Sequence, residues 1–371
     1  MKIGTKVIRT GLSPTTQGEP FCAGITFAGP YHTAGDPATS PYTYGRYHNP
    51  TWTQFERSLG ELEGGTAVSF ASGMAAVAAV LGTTLQAGDA IVMPSDSYYA
   101  ARLLVEDFFA KMGVQVRQAA TAGNEQLQHL DGAKLLWLET PSNPGLDVCD
   151  ISTLAKAAKE QGVLVAVDNT TPTVVGQNPL ALGADFSVAS DTKALTGHSD
   201  LILGHVAVRD PAWADKVRSW RTQMGAIPGP MEVWLAHRSL STLEMRLERQ
   251  CRNALIIAEY LAGCPDITSL RYPGLVSDPA HKIAARQMEF YGPVISFVLP
   301  SREHAEQFLR ACHLVIEATS FGSIHTTAER RARWGGDLVS EGFIRFSVGC
   351  ENSDDLVSDI RQAMAQVRQL A

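Results

Sequence analysis

The chain reads as an α/β protein: a large domain on a mostly parallel seven-stranded sheet, followed by a smaller C-terminal α/β domain. Three observations predict this. At 371 residues the chain exceeds the size at which a single apolar core stops growing. Between residues 67 and 208, continuous Val/Ile/Leu runs alternate with helical patterns, as in a parallel sheet covered on both faces. A turn-rich segment, Gly225 to Pro230, and a long helical stretch then lead into a second set of strands and helices.

Residues 1–48 carry many Gly, Pro and Thr with little periodicity, and read as an extended arm of the kind that wraps a neighbouring subunit. Asn49-Pro50-Thr51 opens the first helix, with an N-cap and then proline at the first helical position. Trp52, Phe55, Leu59 and Leu62 share one face of it, and Gly64-Gly65 ends it. Strands are expected at 67–71, 90–94, 114–117, 134–138, 163–167, 186–189 and 203–208. Helices are expected between them at 74–84, 99–112, 151–160 and 178–182, giving a first domain over 49–230. The helical pattern from Met231 to Ala262 exceeds thirty residues and is expected to bend or break. The second domain, 231–371, offers strands at 268–272, 294–299 and 343–348 and helices at 281–290, 302–312 and 353–369.

Composition narrows the function. Hydrophobic content of 45% and charged content of 19% describe an ordinary globular protein. A net charge of −7, with no basic run interleaved with aromatics, argues against a nucleic-acid partner. The densest basic spot, Arg330-Arg331-Ala332-Arg333, reads as a solvated face, or as a site for a small anion such as a distal substrate carboxylate. Six scattered cysteines show neither a C-x-x-C pair nor metal-ligand spacing, so reduced thiols and no metal are expected. With no apolar signal core at Met1-Lys2-Ile3 and no run of membrane-spanning length, the expectation is a cytoplasmic protein with no membrane partner. No glycine-rich nucleotide fingerprint occurs.

Polar groups gather where strands end, and ligands of open parallel sheets bind outside those ends. Ser72-Gly73-Met74 follows the first strand and opens a helix, which suits a phosphate on backbone N–H groups; Ser72 equally suits a plain helix cap. Asp168 ends the fifth strand, where it suits a carboxylate partner for a pyridinium nitrogen, or a turn cap. Tyr98 or Tyr99 suits stacking on a planar ring, or half-buried core. Lys193 lies just past the sixth strand, flanked by Ser190 and Thr192, as a Schiff-base-forming amine beside a phosphate would be. Alone it would read as a loop lysine. Five strand ends aimed at one rim argue for the site.

Six segments carry a family resemblance, in this order: Tyr44-Gly-Arg46-Tyr-His-Asn49-Pro50-Thr51, Ala71-Ser72-Gly73-Met74-Ala75-Ala76, Glu139-Thr-Pro-Ser-Asn143-Pro144, Val167-Asp168-Asn169-Thr170, Ser190-Asp-Thr192-Lys193 with Gly197-His198-Ser199-Asp200, and Arg345-Phe-Ser-Val-Gly349. Together they resemble the pyridoxal 5′-phosphate (PLP) enzymes of trans-sulfuration: cystathionine γ-lyases, γ-synthases and β-lyases, and methionine γ-lyases. The likeness runs from about residue 40 to the carboxyl end.

The resemblance implies an aspartate-aminotransferase-like (type I PLP) fold and a homotetramer whose active sites are shared between subunits. It implies a small sulfur amino acid as substrate and PLP as cofactor. Lys193 matches the cofactor-bearing lysine, Asp168 the partner of the pyridine nitrogen, and Tyr98 the ring-stacking tyrosine that also handles protons. Ser72, Gly73, Met74, Ser190 and Thr192 match phosphate contacts, while Tyr44 and Arg46 match a pair reaching into the neighbouring subunit. Arg345 matches the clamp on the substrate α-carboxylate, with Asn143 and Ser320 assisting. An arginine in the apolar run Phe343–Phe346 independently suggests a carboxylate partner, though alternation also permits a solvated face.

The implied reaction is γ-elimination from L-cystathionine to cysteine, 2-oxobutanoate and ammonia. Lys193 would move the Cα proton, and Tyr98 would act as acid at the leaving sulfur. Beside cationic Arg46, Tyr98 is expected to ionise more readily than free tyrosine. γ-Replacement on O-acyl-homoserine, β-elimination and methionine γ-elimination use the same constellation and stay open. The chain also departs from the family pattern: Ala194 follows the lysine in place of a tyrosine, Gly45 separates Tyr44 from Arg46, Thr319 precedes Ser320, and residues 323–336 follow no common pattern.

Overall fold

Most strands of the first sheet form on runs rich in Val, Ile, Leu and Ala. A computed structural model describes residues 1–12 and 16–370. Its first sheet contains β1 (Thr66–Phe70), β2 (Ala90–Pro94), β3 (Gln115–Ala119), β4 (Leu135–Glu139), β5 (Leu164–Asp168), β6 (Phe186–Ala189) and β7 (Gly204–Val208). They lie in the order β1-β7-β6-β5-β4-β2-β3. Strands β2 to β6 run parallel, and β7 runs antiparallel to both β6 and β1. Consequently the start of β7 lies beside the end of β6, at the functional rim. The expected strands are all present, shifted by two residues at most.

Helices cover both faces. They are α1 (Ile3–Arg9), α2 (Pro50–Glu63), α3 (Gly73–Thr84), α4 (Tyr99–Leu104), α5 (Ile151–Glu160), α6 (Thr173–Gly176), α7 (Pro211–Met224), α8 (Pro230–Leu240) and α9 (Leu243–Ala262). Alternate residues of each inner strand face opposite ways: Ile91 and Leu135 join α3 and α7 in one cluster, while Val92 and Leu136 join α5 in another. Asn49 caps α2 through its side chain, and Gly64 ends it in the left-handed conformation. The long helical stretch does break, at Ser241-Thr242, between α8 and α9. Helix α9 then spans two apolar clusters: Leu243 and Leu247 pack with α2, Ala254 to Leu261 with the second sheet.

Three expectations need correction. The arm is not extended throughout: Ile3–Arg9 is helical because Val7 is buried in the cluster of Trp52 and Leu247. Residues 13–15 of the arm lie outside the described residues. Residues 178–182 form a turn rather than a helix, with the Asn178 side chain accepting from the Ala181 amide and Gly183 turning left-handed. The 99–112 helix changes pitch: α4 widens into a π turn over Val105–Phe109 and then tightens into a 3-10 turn over Ala110–Met112.

The second sheet holds β8 (Ser269–Arg271), β9 (Val294–Val298), β10 (Ile316–Glu317), β11 (Thr327–Arg330) and β12 (Phe343–Ser347), in the order β10-β11-β12-β9-β8. Helices α10 (His281–Gln287), α11 (Arg302–Ala311) and α12 (Ser353–Val367) accompany it. Phe297 packs edge-on against Phe308 in its core, with Phe346 tilted against both. Two of these strands, β10 and β11, were not anticipated. They carry Glu317, Glu329 and Arg330, and pairing rather than apolarity makes them strands.

Candidate active site

A cavity of about 450 Å³ opens at the carboxyl ends of β4, β5 and β6. Ser72, Gly73, Met74, Tyr98, Asn143, Asp168, Ser190, Thr192, Lys193, Ser320 and Arg345 all line it. Tyr44 and Arg46 do not. Tyr44 is 47% exposed, and Arg46 donates to the Thr222 carbonyl at 3.0 Å with its guanidinium over the Tyr47 ring.

One end suits an anion. Ser72 caps α3, accepting from the Ala75 amide at 3.1 Å, so the capping reading is realised. The first N–H groups of α3 have no intrahelical acceptor and face outward from the helix start. Gly73 is required by close approach, since a Cβ there would come within 2.6 Å of the Ser190 Cβ. Gly204 is likewise pressed against Ser72-Gly73, where a Cβ would lie 2.6 Å from the Ser72 carbonyl oxygen. Thr192 is fixed by accepting from the Leu203 amide at 3.0 Å.

On the cavity floor two acids stand in register, Glu139 on β4 and Asp168 on β5. Glu139 accepts from the Tyr98 and Asn143 amides, each at 2.8 Å. Asp168 accepts from the Thr170 amide at 3.0 Å and its hydroxyl at 2.6 Å. The same hydroxyl oxygen accepts from the Ser190 amide at 2.9 Å, tying the ends of β5 and β6 together. Burial pushes both acids up, Glu139 also through Asp168, against the amides and the Thr170 hydrogen bonds that oppose the rise. Asp168 thus holds a proton more readily than an exposed aspartate.

Lys193 faces Asp168 across this space. Its amine donates to the Ser320 hydroxyl at 2.8 Å and lies 5.4 Å from the Phe321 ring centre. Burial, then Arg345, push its pKa down from 10.5 to about 8, partly offset by Glu329 and Asp168. Ser320 has a left-handed backbone, φ 78°, and Gly322, at φ 87°, lies against Ala194 too closely for any Cβ.

Opposite stands a wall of paired charges. Arg345, on β12, donates to Asn143 Oδ1 at 2.8 Å and to the Ser320 carbonyl at 3.1 Å. It also donates to Glu329, its cross-strand neighbour on β11. Its Nε has no acceptor among the described residues although it is buried. Burial and Arg331 lower its pKa to about 10, against Glu329. Arg331 pairs with Glu329 and Asp337, and Trp334 donates to Glu329 at 2.7 Å. Arg330 and Arg331 are therefore buried ion-pair members rather than a solvated face; only Arg333 is half-exposed, over Trp334. The missed signal was an acid, Glu329, immediately before the basic run.

Within its own chain Tyr98 has a different set of neighbours from the Arg46 expected across a subunit boundary. Burial, then Tyr99, raise its pKa, and the nearby cations that lower it are Arg331 and Arg345. Arg46 is not among them. Gly45 has a steric reason: a Cβ there would come within 2.3 Å of the Ala28 carbonyl oxygen.

The residues present fit PLP. A glycine-floored anion cradle, a buried acid and a buried amine of lowered pKa share one cavity, with the Tyr98 side chain on its wall. With those residues around a cofactor, Arg345, whose Nε has no partner among the described residues, would remain for a carboxylate.

Comparison with known proteins agrees. The family model described as Cys/Met metabolism PLP-dependent enzyme matches residues 4–365. A Streptomyces coelicolor protein, provisionally named a cystathionine gamma-lyase, is 57% identical over 366 residues, covering 97% of this chain and 93% of that protein. The cystathionine gamma-synthase of Mycobacterium bovis is 36% identical over 334 residues, covering 87% and 86%. Among solved structures, cystathionine gamma-lyase from Lactobacillus plantarum complexed with L-serine superposes with a TM-score of 0.94 at 31% identity, covering 99% of this chain and 100% of that one.

Proposed function

This chain belongs to the family of Cys/Met metabolism PLP-dependent enzymes, and on that premise we propose that it cleaves the Cγ–S bond of L-cystathionine and, with one water hydrolysing the remaining four-carbon fragment, gives cysteine, 2-oxobutanoate and ammonia. The observation that carries the reading is the placement of Lys193: an amine of pKa about 8, hydrogen-bonded to Ser320, between Asp168 and Arg345.

Bound PLP supplies an electron-withdrawing ring that accepts the electron pair left when the substrate loses its Cα proton. The chain does the rest. Ser72, Gly73, Met74, Ser190 and Thr192 hold the phosphate end, and Asp168, steadied by Thr170, keeps the ring nitrogen protonated. Arg345 clamps the substrate α-carboxylate, with Asn143 orienting its guanidinium. Lys193 takes and returns protons at Cα and Cβ, since an amine with a pKa near 8 is neutral in a useful fraction of molecules at neutral pH. Tyr98, kept protonated by burial, donates to the departing sulfur.

We read Tyr44 and Arg46 as serving the site of a neighbouring subunit in a homotetramer. Support comes from their position outside their own chain's cavity and from the half-exposed Tyr44 and Tyr47 rings beside Arg46. Free amino acids as substrates and six unpaired thiols support work in the cytoplasm. No helix among the described residues is long and apolar enough to cross a membrane.

γ-Replacement is the second reading, favoured by the likeness to the mycobacterial synthase. Incubation with cystathionine and identification of the keto acid decides. Cysteine with 2-oxobutanoate supports γ-elimination; homocysteine with pyruvate overturns it, and cystathionine formed from O-acyl-homoserine and cysteine faster than it is cleaved favours the synthase.

A further inference from the structure

Beneath the Ser190–Lys193 turn lies a cluster to which the chemistry above gives no role. His205, on β7, has Nδ1 at 2.6 Å from Asp191 Oδ1 and Nε2 at 3.1 Å from Glu63 Oε1. All three side chains are 1% exposed or less. A neutral imidazole has one N–H and one bare lone pair, so it cannot donate to both acids. The geometry calls for an imidazolium between two carboxylates. Coulombic and hydrogen-bonding contact with Asp191, followed by Glu63, outweighs desolvation and raises the His205 pKa to about 10.

The cluster is expensive to bury. Glu63 Oε2 and Asp191 Oδ2 have no hydrogen-bond partner among the described residues. Its place in the fold suggests what the expense serves. Asp191 sits between Ser190 and Thr192, inside the turn that presents Lys193. Leu203, just before β7, exchanges hydrogen bonds with Thr192 of the same turn, and Gly204, the first residue of β7, lies against Ser72-Gly73 at the phosphate end. From the other side, buried Arg246 on α9 donates to the Ala194 and Leu195 carbonyls at 2.7 and 2.8 Å.

We propose that the Glu63–His205–Asp191 cluster is a clamp that anchors the Ser190–Lys193 turn to β7 and α2, with His205 and Asp191 acting as positioning residues for retention of the cofactor by that turn. This inference rests on PLP dependence, not on cystathionine as the substrate. The turn carries both phosphate contacts and the lysine, so a shift of Asp191 moves the two ends of the cofactor site together.

The test uses His205→Gln, His205→Lys, Asp191→Asn and Glu63→Gln in the full chain. Each is measured for PLP dissociation constant (absorbance titration of the resolved protein), rate of cofactor loss from the holoenzyme, melting temperature with and without PLP, and kcat and KM. Expected are at least tenfold weaker PLP binding and faster cofactor loss in His205→Gln and Asp191→Asn, a smaller effect in Glu63→Gln, which lies outside the turn, and partial recovery in His205→Lys, which restores a cation between the acids. KM at saturating PLP stays within twofold of wild type. If Asp191→Asn and His205→Gln lower the melting temperature but keep PLP affinity and release within twofold of wild type, the cluster is a stabilising ion pair only and the proposal falls. Should His205→Gln fail to fold, Asp191→Asn decides by the same criterion.

Discussion

Glu329 and Arg345 stand directly opposite each other in the β11–β12 ladder, and the guanidinium of the second donates to the carboxylate of the first. This carboxylate also takes hydrogen bonds from Arg331 and Trp334, so one buried acid orders the whole wall that faces Lys193. Burial, which alone would raise the Glu329 pKa, is outweighed by Arg345 and the other donors, and the group stays ionised. Glu329→Gln leaves two buried guanidinium groups without their shared partner. Removing one member of such a pair costs about 3–5 kcal/mol. Urea melts of the variant are expected to show a loss of that order; a loss within the scatter of surface substitutions would mean that the wall is held by packing instead.

The amine of Lys193 sets a second, pH-dependent expectation. With its pKa lowered to about 8, the amine is mostly protonated below that pH and cannot attack an aldehyde. The rate of PLP capture by cofactor-free protein should rise about tenfold per pH unit up to pH 8 and then level off. An unperturbed lysine would keep the rate climbing past pH 10. The linkage has the same sign: between about 8 and 10.5 the folded chain has released a proton that the unfolded chain still holds, so Lys193 makes the cofactor-free protein more stable as pH rises through that window. Stopped-flow absorbance and pH-dependent melts check the two halves separately.

Much of this was legible in the residues. Runs rich in Val, Ile, Leu and Ala located the first sheet, with the edge strand β3 more polar than the rest, and because ligands gather at the carboxyl ends of parallel strands, the polar residues just beyond them marked the cavity. What stayed hidden depends on pairing between distant segments. Thr327–Arg330 is polar and reads as solvated, yet it is a strand because Glu329 finds Arg345 across the ladder and Arg330 finds Glu306 and Glu341. His205 reads as an ordinary residue in an apolar strand; only the fold brings Glu63, far away in sequence, against one nitrogen and Asp191 against the other.

Tyr98 supplies the third prediction. Burial and Tyr99 keep the phenol protonated through neutral pH, which suits an acid rather than a base. Tyr98→Phe keeps the ring, its 5.2 Å edge contact with Tyr99 and the backbone hydrogen bond to Glu139, and removes only the proton. General acid–base groups contribute typically about 10²–10⁴ in rate, so kcat is expected to fall by roughly that factor with KM little changed. Steady-state kinetics on cystathionine make the comparison. Equal losses in Tyr99→Phe would move the role away from Tyr98.

Tyr44 and Arg46 face away from the cavity of their own chain, and a shared-site assembly makes a sharp demand of them. Arg46→Ala removes a contribution to the neighbour's site, and Lys193→Ala removes a contribution to the chain's own. Each variant alone is expected to be nearly inactive. Within a dimer of one chain of each kind, one site receives both defects and the other receives neither. Unfolding the two variants together in equal amounts and refolding them yields such mixed dimers as half of the total, so about a quarter of the wild-type sites should be intact. Recovery of about that fraction of wild-type activity, absent from either variant refolded alone, assigns Arg46 to the partner's site; no recovery, in a mixture that sizing shows to be oligomeric, means that Arg46 acts within its own chain or not at all.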